Sequence, residues 1–167
     1  AQLPTTSNLR HERTQLDAIF QRIAKQLAAA PRGFTHRDYQ SRNLMVKDGE
    51  IVVIDFQDAL QGPRQYDLVA LLRDSYVELD RAFVDGMLDA YIVAFEKETK
   101  GRIDAKPFKQ FFDLLTVQRK LKDAGRFEFI NRVKGNPGFL VSIPASLRYV
   151  KAALDVQPEL NDLRRIV

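Results

Sequence analysis

The stretch that most constrains the fold is a hairpin signal at residues 44–54. Leu44-Met45-Val46 and Ile51-Val52-Val53-Ile54 flank Lys47-Asp48-Gly49-Glu50. An Asp-Gly pair between two apolar runs predicts a tight antiparallel turn, because such a turn needs positive φ and glycine accepts it freely. Antiparallel pairing brings the start of the first strand and the end of the second to one edge. Those ends are Asn43 and Asp55, and the loop just before carries His36-Arg37-Asp38, so the motif H-x-D-x-x-x-x-N runs from His36 to Asn43. Three oxygen-bearing side chains, Asp38, Asn43 and Asp55, are thus expected to converge at one end of the hairpin.

Phosphoryl transfer needs such a set. One carboxylate takes the proton of the attacking hydroxyl and orients it, while an Asn and a second Asp hold Mg²⁺ against the phosphates of a nucleotide. Mg²⁺ prefers a few oxygen ligands and keeps several waters, so a sparse Asp/Asn pair suits it better than a His/Cys cage. The expectation is Asp38 as catalytic residue, Asn43 and Asp55 as metal ligands, with Mg²⁺ as cofactor and ATP as co-substrate. His36 is expected to pack beneath the loop and bond backbone.

These residues resemble the aminoglycoside-phosphotransferase/choline-kinase family of small-molecule kinases, whose fold is protein-kinase-like. The segments Thr35–Val46, Val53–Ala59 and Gly62–Tyr76 carry the resemblance. Within that group they are most similar to bacterial cell-wall-recycling kinases that phosphorylate the anomeric hydroxyl of N-acetylmuramate and N-acetylglucosamine. The resemblance implies a role for Asp67 in bracing the catalytic loop, beside a helix N-cap reading of the same residue. Arg37 stands where the aminoglycoside enzymes usually carry Gly and is expected to point away from Asp38. Asp58, three residues past the metal-ligand candidate, is a candidate contact to metal or sugar, beside a turn-stabilising reading of the same residue.

A kinase fold also needs a glycine-rich loop and a strand-borne lysine over the phosphates. Only thirty-three residues precede Phe34, and none reads G-x-G-x-x-G. The expectation is therefore a single domain over residues 1–167, mainly α with a small antiparallel hairpin. It would be the C-terminal lobe of a larger enzyme whose nucleotide-gripping N-terminal lobe is absent, and inert on its own. After Asp55 no long activation segment with an A-P-E motif follows, which favours a small-molecule acceptor over a polypeptide.

The rest reads as helices. Leu16, Ile19, Phe20, Ile23 and Leu27 form a helical stripe over 8–30, with Ser7 or Asn8 as cap and Pro31-Arg32-Gly33 as stop; His11 is expected exposed and without a role. A helix beginning near Tyr66 is apolar enough at Leu68, Val69, Leu71 and Leu72 to be buried. Residues 80–100 carry Phe83, Met87, Leu88, Tyr91, Ile92 and Phe95 as core, ending at Gly101. Pro107 starts a helix with Phe108, Phe111, Phe112, Leu114, Leu115 and Val117 inward. A loop at 135–138, a helix from Pro144 to Leu154 and a short one from Pro158 complete the chain.

The chain has 167 residues, no cysteine and a formal charge of +4. That excludes a disulfide scaffold and a thiolate metal site, and no apolar run approaches a membrane span; a cytoplasmic location is expected. Residues 119–134 hold six basic residues against two acidic ones, leaving the remainder balanced at twenty of each sign. If that stretch faces the cleft, an anionic or neutral sugar fits better than a polycationic aminoglycoside, and Arg126 and Arg132 are candidates for a lactyl carboxylate. An antibiotic or choline kinase of the same fold is the first alternative. A basic helical module on nucleic acid is a second and is disfavoured, because the positive excess is local.

Overall fold

One 30-residue helix is the axis on which the other elements pack. A computed structural model describes residues 6–167, with side chains from Glu12 onward. The order is α1 Thr6–Ala28, β1 Arg32–Thr35, β2 Leu44–Lys47, β3 Glu50–Val53, β4 Leu60–Pro63, α2 Gln65–Leu72, α3 Arg81–Thr99, α4 Ala105–Lys134, α5 Ile143–Leu154 and α6 Asn161–Arg164, with 3₁₀ turns at Ser41–Asn43, Pro137–Ser142 and Pro158–Leu160. The axis is α4, about 45 Å long at the standard rise. Asp104 caps it by accepting from the Lys106 N–H, and left-handed Gly135 closes it. Pro107 does not start this helix. It lies in the first turn, where its missing N–H has no intrahelical acceptor to lose.

Two faces of α4 serve two cores. Phe108, Phe112 and Leu115 pack with Val69 and Leu72 of α2 and with Val84, Leu88 and Ile92 of α3. Leu114 and Val117 pack with Ile19 and Ile23 of α1 and with Val150, Ala153 and Leu154 of α5. Each such side chain contributes roughly 1.5–3 kcal/mol through removal from water. Of the apolar turn of α2, Val69 and Leu72 are buried as expected, whereas Leu68 and Leu71 are half-buried. Three other assignments fail: Phe20, Phe83 and Met87 are substantially exposed. They sit at helical spacing from core residues, but on the margin of the stripe. Ser7 and Asn8 lie within α1 rather than before it, and His11 lies outside the residues whose side chains are described. Helix α3 ends with left-handed Lys100, one residue before the expected Gly101.

The predicted hairpin is present. Strands β2 and β3 pair in the register Leu44↔Val53, Met45↔Val52, Val46↔Ile51 and Lys47↔Glu50. Both turn residues, Asp48 (φ 53°) and Gly49 (φ 82°), are left-handed, the geometry that suits the twist of a two-residue hairpin. A second two-stranded sheet was not anticipated: β1 pairs antiparallel with β4, Gly33 opposite Gly62 and Thr35 opposite Leu60. It ties the end of the α1 connection to the segment entering α2, so the loop from His36 to Asn43 leaves one sheet and enters the other.

Gly62 is fixed by close approach. A Cβ there would lie 2.4 Å from Thr35 Oγ1, a hydroxyl already donating to the Leu60 carbonyl at 3.0 Å. Gly62→Ala is expected to cost about 1–3 kcal/mol by overpacking, read as a lower denaturation midpoint; an unchanged midpoint would mean the strands part without penalty.

Candidate active site

The loop between the two sheets is held by a carboxylate from α2. Asp67 Oδ2 accepts from the His36 N–H at 2.7 Å and Oδ1 from the Arg37 N–H at 2.9 Å. Between those bonds and Asp38, the chain turns left-handed at Arg37, with φ 74°. A non-glycine residue there costs roughly 1–2 kcal/mol, so the turn persists only because its surroundings impose it. That backbone requirement explains why glycine suits this position. The Arg37 side chain reaches away from Asp38, donating to the Asp58 carbonyl at 3.1 Å. The N-cap reading of Asp67 is overturned: α2 begins at Gln65 behind Arg64, and Asp67 spends both oxygens on the loop.

Asp38, Asn43 and Asp55 are brought together. Asn43 Nδ2 donates to the Asp38 carbonyl at 2.8 Å and lies 3.3 Å from Asp55 Oδ2, while the Ile54 N–H donates to the Asn43 carbonyl at 3.1 Å. With its amide hydrogens so directed, Asn43 keeps Oδ1 for another ligand. Asp55 is itself left-handed, with φ 68°, and Gln57 Nε2 donates to its Oδ1 at 2.7 Å. Two oxygen donors at one edge, open to water and phosphate, fit the sparse coordination of Mg²⁺. Among the described residues no cluster of three or more His, Cys, Asp or Glu could hold a metal, so this mixed Asn/Asp pair is what the site offers.

His36 is buried and its Nε2 meets the Ile54 carbonyl at 2.9 Å. A carbonyl only accepts, so Nε2 carries the proton, and the bond links the loop to the residue before Asp55. Nδ1 is buried without a partner among the described residues. Among the described residues the Asp58 carboxylate has no hydrogen-bond or ion-pair partner, and its carbonyl accepts from Arg37. Arg126 and Arg132 are exposed, and Arg132 pairs with Glu128. They lie about 10 and 20 Å along the α4 axis beyond Arg119.

Two residues that sequence reasoning did not single out also shape the loop. Asp74, buried at the end of α2, accepts from the Ser41 N–H at 2.9 Å, the Ser41 hydroxyl at 2.6 Å and the Tyr76 N–H at 3.0 Å. Arg119 Nη1 donates to the Arg37 carbonyl at 3.1 Å, and its guanidinium lies over the Tyr66 ring at 4.7 Å. Arg119 and Lys120 are both buried, so two of the six basic residues of 119–134 point into the fold rather than to solvent. Burial pushes the Lys120 amine below its ordinary range, with Asp123 opposing. Beside the loop, a cavity of about 780 Å³ is lined by His36, Asp67, Phe34, Phe56, Leu68 and Tyr91, among others.

The phosphotransferase enzyme family model matches residues 2–104, more than half of the chain. The chain belongs to that family. Its helical body with small antiparallel sheets is the C-terminal lobe of the family's kinase-like fold. Three curated relatives carry the name N-acetylmuramate/N-acetylglucosamine kinase. The Pseudomonas aeruginosa protein is 39% identical over 87% of this chain and 43% of its own length. The Pseudomonas putida protein is 34% identical over 90% and 46%, and the Neisseria meningitidis serogroup B protein 40% over 82% and 41%. The chain thus spans under half the length of these phosphotransferases and covers their C-terminal part.

Asp74→Ala would leave the part-buried Ser41 and Tyr76 donors without their carboxylate, and is expected to cost about 1–3 kcal/mol. Chemical denaturation with amide exchange at Ser41 checks this; unchanged stability and protection would show that the loop does not depend on Asp74.

Proposed function

We propose that the chain is the C-terminal catalytic lobe of an ATP-dependent cytoplasmic kinase that phosphorylates N-acetylmuramate and N-acetylglucosamine at the anomeric hydroxyl. The carrying observation is the convergence of Asp38, Asn43 and Asp55 at the hairpin edge, with left-handed backbone at Arg37 and Asp55. The acceptor class rests on the names of the relatives.

In this reading the Asp38 carboxylate, more than half exposed, accepts the proton of the sugar hydroxyl and directs its oxygen. That oxygen bonds to the γ-phosphorus of ATP as the β–γ bridge breaks, and ADP leaves. Asn43 Oδ1 and the Asp55 carboxylate would hold Mg²⁺, which supplies neutralisation of the phosphate charge. Most of the acceleration comes from positioning and from charge already in place, because phosphoryl transfer asks little covalent chemistry of the protein. His36, Asp67 and Asp74 act one step back by holding the loop.

The exposed apolar faces have a place in this reading. The hairpin shows Val46 and Ile51 to solvent, at 77% and 68% exposure, and Phe34 and Phe56 stand open beside the cavity. An apolar surface of that kind marks an interface, and the N-terminal part present in the relatives is its natural cover. No helix among the described residues is long and apolar enough to cross a membrane.

A coupled ADP-release assay on the full-length protein tests the proposal, with N-acetylmuramate, N-acetylglucosamine, an aminoglycoside and choline as acceptors. Turnover on the acetylated sugars alone is expected; turnover confined to the aminoglycoside or choline would overturn the acceptor class. Asp38→Asn should lower kcat by about 10²–10⁴ with KM little changed, and near-normal turnover would reject Asp38 as base. Asp55→Asn should raise the Mg²⁺ concentration needed for half-maximal rate, and an identical Mg²⁺ titration would remove Asp55 from the metal site.

A further inference from the structure

Arg119 comes from α4, beyond the residues that the family model matches, and crosses to the loop that carries Asp38. Its side chain is 6% exposed and its Nε is buried without a partner among the described residues. A buried guanidinium is expensive, and one that leaves a donor unpaired is not placed for stability alone. Its remaining contacts all lead to one place. Nη1 donates to the Arg37 carbonyl at 3.1 Å, Nη2 stands 3.8 Å from Asp38 Oδ1, and the plane rests on Tyr66 at 4.7 Å.

We infer that Arg119 is the positioning residue for the Asp38 base, an inference that rests on the phosphotransfer reading above. Residue 37 is gripped from both sides: Asp67 takes its N–H and Arg119 gives to its carbonyl. With both peptide groups fixed and φ held at 74°, the direction in which Asp38 leaves the backbone is set. The second arm of the fork then biases the carboxylate by charge. At 3.8 Å the pairing is too long for a hydrogen bond, so Asp38 keeps its oxygens for the acceptor hydroxyl. Because the guanidinium is buried, water and salt screen this attraction less than on a surface.

Tyr66 explains why the residue is arginine. A planar, delocalised cation lies flat on the ring and still presents two diverging N–H groups; an ammonium offers a point charge without the fork. Tyr66 also precedes Asp67 on α2, so one helical turn holds Arg119 and, through Asp67, the opposite side of the Arg37 peptide.

The test is a double-mutant cycle in the full-length protein, read by ADP release with N-acetylglucosamine. Arg119→Met keeps the stem and removes the fork; Arg119→Lys keeps stem and charge. Arg119→Met is expected to lower kcat by about 10²-fold through misplacement of the base, with KM for ATP within about threefold of the parent. Arg119→Lys should recover part of that loss. In an Asp38→Asn background the Arg119→Met change should alter kcat by less than about threefold, because groups acting as a unit are not additive. Full multiplicative loss in that background would assign Arg119 a general structural role and overturn the inference. So would a folded Arg119→Met protein with parental kcat. If Arg119→Met fails to fold by circular dichroism, the cycle is run with Arg119→Lys under the same criteria. Should Asp38→Asn itself leave turnover intact, the phosphotransfer reading fails at its base; loss from Asp38→Asn without loss from Arg119→Met sinks only the inference.

Discussion

The site depends on one carboxylate accepting from two consecutive peptide groups. Asp67 takes the N–H of His36 and of Arg37, and this pair of charge-assisted bonds offsets the left-handed backbone that turns Asp38 toward the hairpin edge. Without it the Arg37 conformation would relax toward an ordinary region, and Asp38 would leave its place beside Asn43. Strain of this kind is held at functional positions by surroundings that over-determine it. Of the four non-glycine residues with positive φ among those described, Asp48 serves a hairpin turn and Lys100 ends a helix. The other two, Arg37 and Asp55, flank the convergence of side chains.

The helical body gives that arrangement its stiffness. Helix α2 is short, yet it supplies Asp67 near its start and precedes Asp74 at its end, and its inner face is locked against α4 by Val69 and Leu72. Both ends of the loop are thereby referred to one rigid element: His36 and Arg37 through Asp67, Ser41 through Asp74. Arg42 stacking on Tyr76 at 3.5 Å adds a further tie near Asn43. The hairpin, by contrast, is held mainly by its own ladder and exposes apolar residues on both faces. Rigidity on one side of the site and open apolar surface on the other suit a lobe that works against a partner surface.

Local chemistry made part of this legible. Asp48-Gly49 between apolar runs gives the hairpin and its register, and the register alone carries Asn43 and Asp55 to one edge. The helix limit at Pro31 follows from a breaker, and the starts near Tyr66 and residue 80 follow from apolar residues at helical spacing. What stayed hidden depends on contacts far apart in sequence. The β1–β4 sheet is built on Gly33 opposite Gly62 and shows no alternating pattern. Arg119 looked like one more charge on a basic helix, because nothing local distinguishes a buried cation from an exposed one; the carbonyl it donates to, that of Arg37, lies 82 residues away. Asp74 reads as an ordinary helix-end acid until Ser41 is placed beside it. Phe83 and Met87 have core spacing, yet they stand substantially exposed at the margin of the helical stripe.

The central claim is that Asn43 and Asp55 together hold the metal of a nucleotide complex beside Asp38. Mn²⁺ substitutes for Mg²⁺ at sparse oxygen sites and broadens nearby resonances, so the direct measurement is the side-chain amide spectrum of the full-length protein titrated with Mn²⁺ and ATP. The account predicts that the Asn43 side-chain signals broaden first, together with the Asp55 backbone amide, while those of Asn136 and Asn161 stay sharp. A sharp Asn43 signal with broadening centred elsewhere would contradict it.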